Sequence, residues 1–460
     1  MEKWKSLFDY CGVPAFFMMI AVPYLFLLVF LTPPFQVPDE FEHYFYARAI
    51  TMGDILPRDL GPSGVGGSVS KADIEFAAAF SGIAFHPEVK ATRAMFRAAR
   101  EVGEGDTPVI QNYWGAALYP PTAYAMPAVG MLIADAIGFD RLDAFYAGRA
   151  ANALFFAVAS AVAIWITPTA KLIIAFILLL PMSLFEAASF SADAPTYALT
   201  ALACAMTARS ATVPVPSKAS LWAITALVAI LSTIKLPLIA LVLPLVILGG
   251  RHSRKTALLL TLSVVGVWLA WTLNCVSTEG FYARQASLQG VSSDDQLDYL
   301  MHNPSAITRI ASDTLRYYGW FYAASAIGVL GWLDTWLSKW FYILAIVIGV
   351  IVFVCSAVLD ETRMRIGFRL SLFASSLLAA ALVFGALYLT WTPVGAARVE
   401  GVQGRYFIPV LLMAGLSISG LRELRLVRLP NTLLYSILLA FVSTSLAHVC
   451  SVLIDRYYLG

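Results

Sequence analysis

Charge is what this chain has least of. Asp, Glu, Lys and Arg make up 13% of the residues against 59% apolar ones, and none falls between residues 11 and 38. A folded soluble domain of 460 residues cannot hide that much apolar surface, which excludes a soluble enzyme or binding module. Charge of one sign is also missing, with 31 Lys and Arg against 29 Asp and Glu. The cations form short clusters between apolar runs rather than a basic face, so nucleic acid is excluded as a partner. Cysteine is sparse and odd in number, at 11, 204, 275, 355 and 450, with no CxxC spacing. That argues against a disulfide framework or a thiolate metal site and leaves small packing residues. No internal repeat or heptad pattern is visible. The first apolar run ends in Pro33-Pro34 instead of a small-residue cleavage site, so it reads as a retained helix.

Long apolar runs are what the chain does have. A hydrocarbon core of roughly 30 Å is crossed by about 20 helical residues at a rise of about 1.5 Å each. Apolar windows near 14 to 32, 145 to 166, 170 to 188, 194 to 209, 219 to 234, 236 to 249, 256 to 275, 340 to 359, 367 to 391, 406 to 421 and 432 to 454 predict about eleven spans. The fold class is therefore an all-α polytopic membrane protein, with residues 1 to 460 forming one transmembrane domain.

Basic clusters orient it. Lys3 and Lys5, then Arg251, Arg254 and Lys255, then Arg363, Arg365 and Arg369, then Arg422, Arg425 and Arg428 all read as cytoplasmic. Counting the apolar segment 118 to 137 as a crossing would put Arg209 and Lys218 on the wrong side. That segment opens Tyr119-Pro-Pro-Thr and carries Pro127 and Asp135, so a re-entrant or interfacial helix fits it better. Residues 33 to 144 then form one long external loop, with fourteen Asp and Glu against eight Lys and Arg, and 276 to 339 form a second. Within the first, 39 to 51 reads as a helix, 61 to 70 (GPSGVGGSVS) as a flexible link, and 71 to 84 and 88 to 102 as amphipathic surface helices. In the second, Asn303-Pro304 starts a helix to about 318 with Ile307, Ile310, Ala311 and Leu315 on one face.

Polar residues capable of chemistry collect at the outer helix ends. Asp39, Glu40, Glu42, His43 and Arg48 follow directly on the first span, in Pro33-Pro-Phe-Gln-Val-Pro-Asp-Glu-Phe-Glu-His-Tyr-Phe-Tyr-Ala-Arg-Ala49. On a helix, Asp39 and His43 lie one turn apart, and Glu40, Tyr44 and Arg48 form a neighbouring stripe. A partly desolvated carboxylate there could act as a general base or metal ligand; the bland alternative is a solvated juxtamembrane helix. DExxH is not HExxH, so a catalytic zinc is not expected. Asp193, in SFSADAP, falls between two apolar helices on the same side. Lys235, in STIKLP, interrupts an apolar stretch at its outer turn, as either a buried cation with an anionic partner or a snorkelling anchor. Gln403 and Arg405 sit in the glycine turn GVQGRYFIP; Arg405 suits a phosphate, or else pairs with Glu400. Arg149, Trp332 and Asp334 are weaker candidates, each with a reading as a helix-end charge or interface anchor.

Taken in order, PPFQVPDEFEHYFYARA, YPPTAY, GRAANAL, SFSADAP, STIKLP, GWLD and GVQGRYFIP resemble the DUF2142 family of bacterial membrane proteins over nearly the whole chain. That family is similar to the GT-C superfamily of glycosyltransferases using polyprenyl-phosphate sugars. The resemblance implies a GT-C-like fold in which Asp39, with Glu40 adjacent, serves as catalytic base and Asp193 lines the site. It adds Tyr119 and Tyr406, from two of the motifs, to the expected substrate contacts His43, Arg48, Arg149, Asp193, Lys235, Trp332, Asp334, Gln403 and Arg405. Metal dependence stays open, since some GT-C enzymes bind a divalent cation (Mg or Mn) and others do not.

The expectation is an inverting glycosyltransferase in the bacterial inner membrane, working at the periplasmic or extracellular face among membrane lipids. It would move a sugar from a polyprenyl-phosphate donor to a cell-surface glycan or glycolipid. The alternative is a transporter or flippase of lipid-linked glycans. That class should carry charges near helix midpoints and inverted repeats, and here the charges cluster at outer helix ends.

Overall fold

The computed structural model describes residues 2–103, 107–360, 362, 364–420 and 431–459, without the side chains of 2–11, 286, 359, 431 and 432. Arg363, Arg422, Arg425 and Arg428, used above for orientation, lie outside the described residues, as do the side chains of Lys3 and Lys5.

The chain is mostly helical, with two small sheets among the described residues. Six helices among the described residues are long and apolar enough to cross a membrane: Gly12–Leu31, Arg141–Ile166, Arg254–Val276, Lys339–Val358, Ile366–Thr390 and Leu433–Tyr457. Their outward faces present Phe26, Trp165, Leu262, Val350 and Leu377, each well exposed, as an apolar wall facing lipid requires.

Several expected spans are shorter or broken, each for a visible reason. The run at 170 to 188 divides into Lys171–Leu178 and Pro181–Ala187. Pro181 has no N–H to continue the ladder, and Ser183 Oγ donates 2.8 Å to the freed Ile177 carbonyl. After Lys235, Pro237 tightens the chain into a 3-10 turn, Leu236–Leu241, before Val242–Gly250. Ser375 Oγ satisfies the Ala240 carbonyl there at 2.7 Å. Asp193–Thr212 runs through the centre of the bundle, nearly all of it buried, and packs on Arg141–Ile166, Lys218–Ile234 and Ile408–Ile418. Its burial against other helices is compatible with its many Thr, Ser and Ala residues.

The segment following the first span forms the helix Glu40–Thr51. The segment 61 to 70 is not a flexible link: after a 3-10 turn, Val65–Ser70 is the central strand of an antiparallel sheet between Arg58–Asp59 and Pro108–Asn112. Its glycines read as flexibility in the sequence but serve close approach, since a Cβ on Gly66 would collide with the Gln111 carbonyl across the ladder. Helix Lys71–Ala78, begun by the Ser70–Asp73 capping box, buries Ala72, Asp73, Phe76 and Ala77 instead of lying on the surface. Ala125–Ala136 has 12 residues, about 18 Å, well short of a roughly 30 Å core. In the later segment, helix Ala306–Gly328 buries Ala306, Ile310 and Thr314, whereas Ile307 and Leu315, expected on its packed face, stand exposed.

Candidate functional site

Five chain segments deliver polar side chains to one end of the bundle. Asp39 precedes Glu40–Thr51, Glu186 ends Pro181–Ala187, Asp193 opens Asp193–Thr212, Lys235 caps Lys218–Ile234, and Arg405 lies in the 3-10 turn Gly404–Phe407. Arg405 is the hub. Its Nη1 lies 2.8 Å from Glu186 Oε1, its Nη2 3.1 Å from Asp39 Oδ2 and its Nε 3.6 Å from Asp193 Oδ2. Lys235 Nζ is 2.9 Å from Asp193 Oδ1 and donates to Tyr119 Oη at 3.2 Å. The Tyr119 and Tyr406 rings flank the same ammonium, with centroids 4.8 and 4.9 Å away. Three carboxylates and two cations thus share one cluster.

Local backbone aims Arg405. Gly404 lies against helix Ala306–Gly328, where a Cβ would meet the Tyr322 carbonyl and the Ala326 nitrogen, and its N–H donates 2.8 Å to Ser325 Oγ. Tyr197 Oη donates to the Arg405 carbonyl at 3.1 Å. Asp39 is held differently. As N-cap of its helix it would ordinarily accept an N–H of the first turn, but its backbone is left-handed (φ 62°) and its side chain makes no cap bond. The carboxylate turns to Arg405 instead and stays 54% exposed, whereas Glu186 and Asp193 are buried at 0% and 4%.

Around this cluster, His43 is buried and shares a 2.7 Å hydrogen bond between Nδ1 and Tyr124 Oη. Burial pushes its pKa down to about 4, so the imidazole is neutral at physiological pH. Glu42 accepts the Ala116 N–H at 3.1 Å, and burial, then the nearby Asp39 charge, raise its pKa. Gln403 leaves Oε1 buried and without a partner beside the turn.

Other expected site residues stand elsewhere. Glu40, expected as a catalytic partner of Asp39, is fully buried: Arg149 donates to both its oxygens at 2.8 and 2.5 Å, and the Phe190 N–H adds a third bond at 3.2 Å. No lone pair faces a substrate. Arg149, expected to bind substrate, also donates to the carbonyls of Val29, Thr32 and Pro33, where the first span ends. Arg48 bonds Asp73 and Asp135 on another face of the acidic helix, beside a polar cavity of about 840 Å³ that touches none of the cluster above. Trp332 Nε1 donates to the Phe35 carbonyl at 3.0 Å, and Asp334 pairs with Arg456 at 2.9 Å. Arg405 pairs with Glu186, Asp193 and Asp39, not with Glu400.

Glu186 is the residue the sequence reading missed. A lone carboxylate inside the apolar run 170 to 188 was the available signal, since an ionisable group at that depth marks a site or a buried partner. A divalent cation does not fit these residues. Asp39, Glu186 and Asp193 are each matched by Arg405 or Lys235, and among the described residues no three His, Cys, Asp or Glu side chains are grouped to hold a metal ion.

An apolar groove of about 490 Å³ lies beside the Arg405 turn, between helix Lys339–Leu359 and residues including Phe176, Tyr322, Phe407 and Leu411. The cluster of cations and acids thus lies at one end of the bundle with an apolar groove beside it.

No curated protein and no solved structure matches the chain. The family model described as "Predicted membrane protein (DUF2142)" matches residues 24–414, most of its length. The chain belongs to the DUF2142 family of membrane proteins.

Proposed function

We propose that this protein is an inverting membrane glycosyltransferase that moves a sugar from a polyprenyl-phosphate donor to a glycan or glycolipid acceptor. The observation that carries the reading is Arg405, buried in the cluster, with the exposed carboxylate of Asp39 on its outer nitrogen. A general base open to solvent next to a fixed guanidinium is what displacement of a lipid phosphate needs.

In this reading Asp39 takes the proton of the acceptor hydroxyl as its oxygen attacks the anomeric carbon. The bond from that carbon to the phosphate oxygen breaks, its electron pair stays on the phosphate, and Arg405 matches the growing charge. Lys235, enclosed by Tyr119, Tyr406 and Asp193, positions Asp193 and through it Arg405. His43 and Gln403 border the donor sugar. The groove beside Phe407 and Tyr322 receives the first part of the lipid chain. No step runs through a metal.

The proposed architecture is GT-C-like. Broken and short helices complete about eleven crossings, and residues 33 to 144 remain on the outer face of the bacterial inner membrane. Cysteines placed at 112 and 140 should then be labelled from the same side; opposite labelling sinks this topology.

The direct test is transfer by purified protein from defined polyprenyl-phosphate sugars. Asp39→Asn, which keeps the shape and removes the proton acceptor, should abolish transfer while leaving the fold intact. Normal turnover in that variant removes Asp39 from the role.

A further inference from the structure

Arg405 already has its anions. Glu186 bonds Nη1, Asp39 bonds Nη2, and Asp193 lies 3.6 Å from Nε, which makes no hydrogen bond, so each side of the guanidinium already faces a carboxylate. Lys235 offers no alternative, since Asp193 and two tyrosine rings surround its ammonium. A phosphodiester entering beside all three carboxylates would add a negative charge to a cluster where acids already outnumber cations.

One of the three partners can leave. Glu186 and Asp193 are sealed in the bundle, but Asp39 is half in solvent, on a helix start where its carboxylate makes no cap bond. Rotating that side chain outward breaks its contact with Arg405 and exposes only the guanidinium edge.

We propose that the Asp39–Arg405 ion pair is an exchange site: a phosphate ester displaces the Asp39 carboxylate from Nη2 of Arg405. This rests on the transfer reading and adds an order of events to it. While paired, Asp39 Oδ2 lies against the Arg405 guanidinium instead of meeting an acceptor hydroxyl. Donor binding takes the guanidinium and frees the carboxylate to receive the acceptor proton. The donor therefore binds first, and the free protein is protected from activating water or an acceptor in its absence.

The test is binding, not turnover. Polyprenyl phosphate and inorganic phosphate are titrated against the full chain in nanodiscs, for the wild type, Asp39→Asn, Asp39→Ala and Glu42→Gln. Exchange predicts that both Asp39 variants bind polyprenyl phosphate on the order of tenfold tighter, because a competing charge-assisted bond has been removed. Glu42→Gln also removes a nearby acid but none that bonds Arg405, so its affinity should change by less than about threefold. Parallel tightening for inorganic phosphate assigns the effect to the anion alone, and tightening confined to the lipid adds a role for the groove; both support exchange. Unchanged or weaker binding in folded Asp39 variants overturns it, and equal tightening by Glu42→Gln reduces it to general repulsion. The two readings fail separately: tightening without transfer from any donor sugar leaves exchange standing, whereas transfer without tightening removes exchange alone.

Discussion

Asp39 and Glu40 are neighbours in sequence, both acidic, both paired to an arginine more than a hundred residues away, and they are opposites in every physical respect. Glu40 and Arg149 are wholly buried, with every Glu40 oxygen accounted for; Asp39 and Arg405 meet through one bond at the rim of a cluster. The first pair closes the end of the first span against the helix that starts at Arg141. The second can open. A buried pair saturated with hydrogen bonds is a structural joint, because removing either partner strands a charge; an exposed acid on a buried arginine can be swapped for another anion. The difference lies in stoichiometry and exposure, not in residue type.

Breaking the joint should have the largest effect. Glu40→Gln leaves the Arg149 guanidinium buried without its counter-charge, at a cost of about 3–5 kcal/mol. Little folded protein should survive detergent extraction, as read by size-exclusion yield and melting temperature. A stable, well-behaved Glu40→Gln protein would break the contrast.

A comparable but pH-dependent effect comes from His43. Its pKa is depressed to about 4 by burial, so the unfolded chain binds the proton more readily than the folded one between that value and about 6.5. Stability should therefore fall as pH drops through that window, by on the order of 3 kcal/mol from this residue. His43→Gln should flatten the dependence of melting temperature on pH; an unchanged slope assigns it to other groups.

Arg405→Gln comes next. It should slow transfer on the order of 10²-fold, the usual loss on removing one electrostatic donor to a developing charge. Donor affinity should weaken with it, in contrast to the tightening expected of Asp39→Asn. Turnover within a fewfold of the wild type would make Arg405 another joint.

The smallest effect should come from Arg100. It bonds Asp140 and Asp143, with half of its side chain in water. Arg100→Ala should cost about 0.2–1 kcal/mol, measured as a small drop in melting temperature. A loss as large as that of Glu40→Gln would show that exposure does not separate the two kinds of pair.

How much was legible in the sequence follows the same division. Local features were: the helix expected at 39 to 51 is Glu40–Thr51, and Asp39, Asp193, Lys235 and Arg405, each flanking or interrupting an apolar run, do meet, with Tyr119 and Tyr406 of the family motifs beside Lys235. What was not legible depends on partners distant in sequence. Nothing local separates Asp39 from Glu40, because Arg149 makes the distinction from 109 positions away. Glu186 stands out in the sequence only as a lone carboxylate in an apolar run, and the fold alone brings Arg405 to it. GPSGVGGSVS read as a linker because glycine serves loose chains and tight ladders alike.

Gly404 has a mechanical consequence. With its backbone seated directly on Tyr322 and Ala326, there is no slack between the Arg405 turn and the long helix Ala306–Gly328. That helix follows a segment bearing Glu279–Ser287 and Ser293–His302. A tilt imposed at that far end, by whatever docks there, has to be transmitted to the guanidinium as through a lever on a fixed pivot. The position of that helix and the aim of the Arg405 guanidinium are in this way geared together by a single missing methyl group.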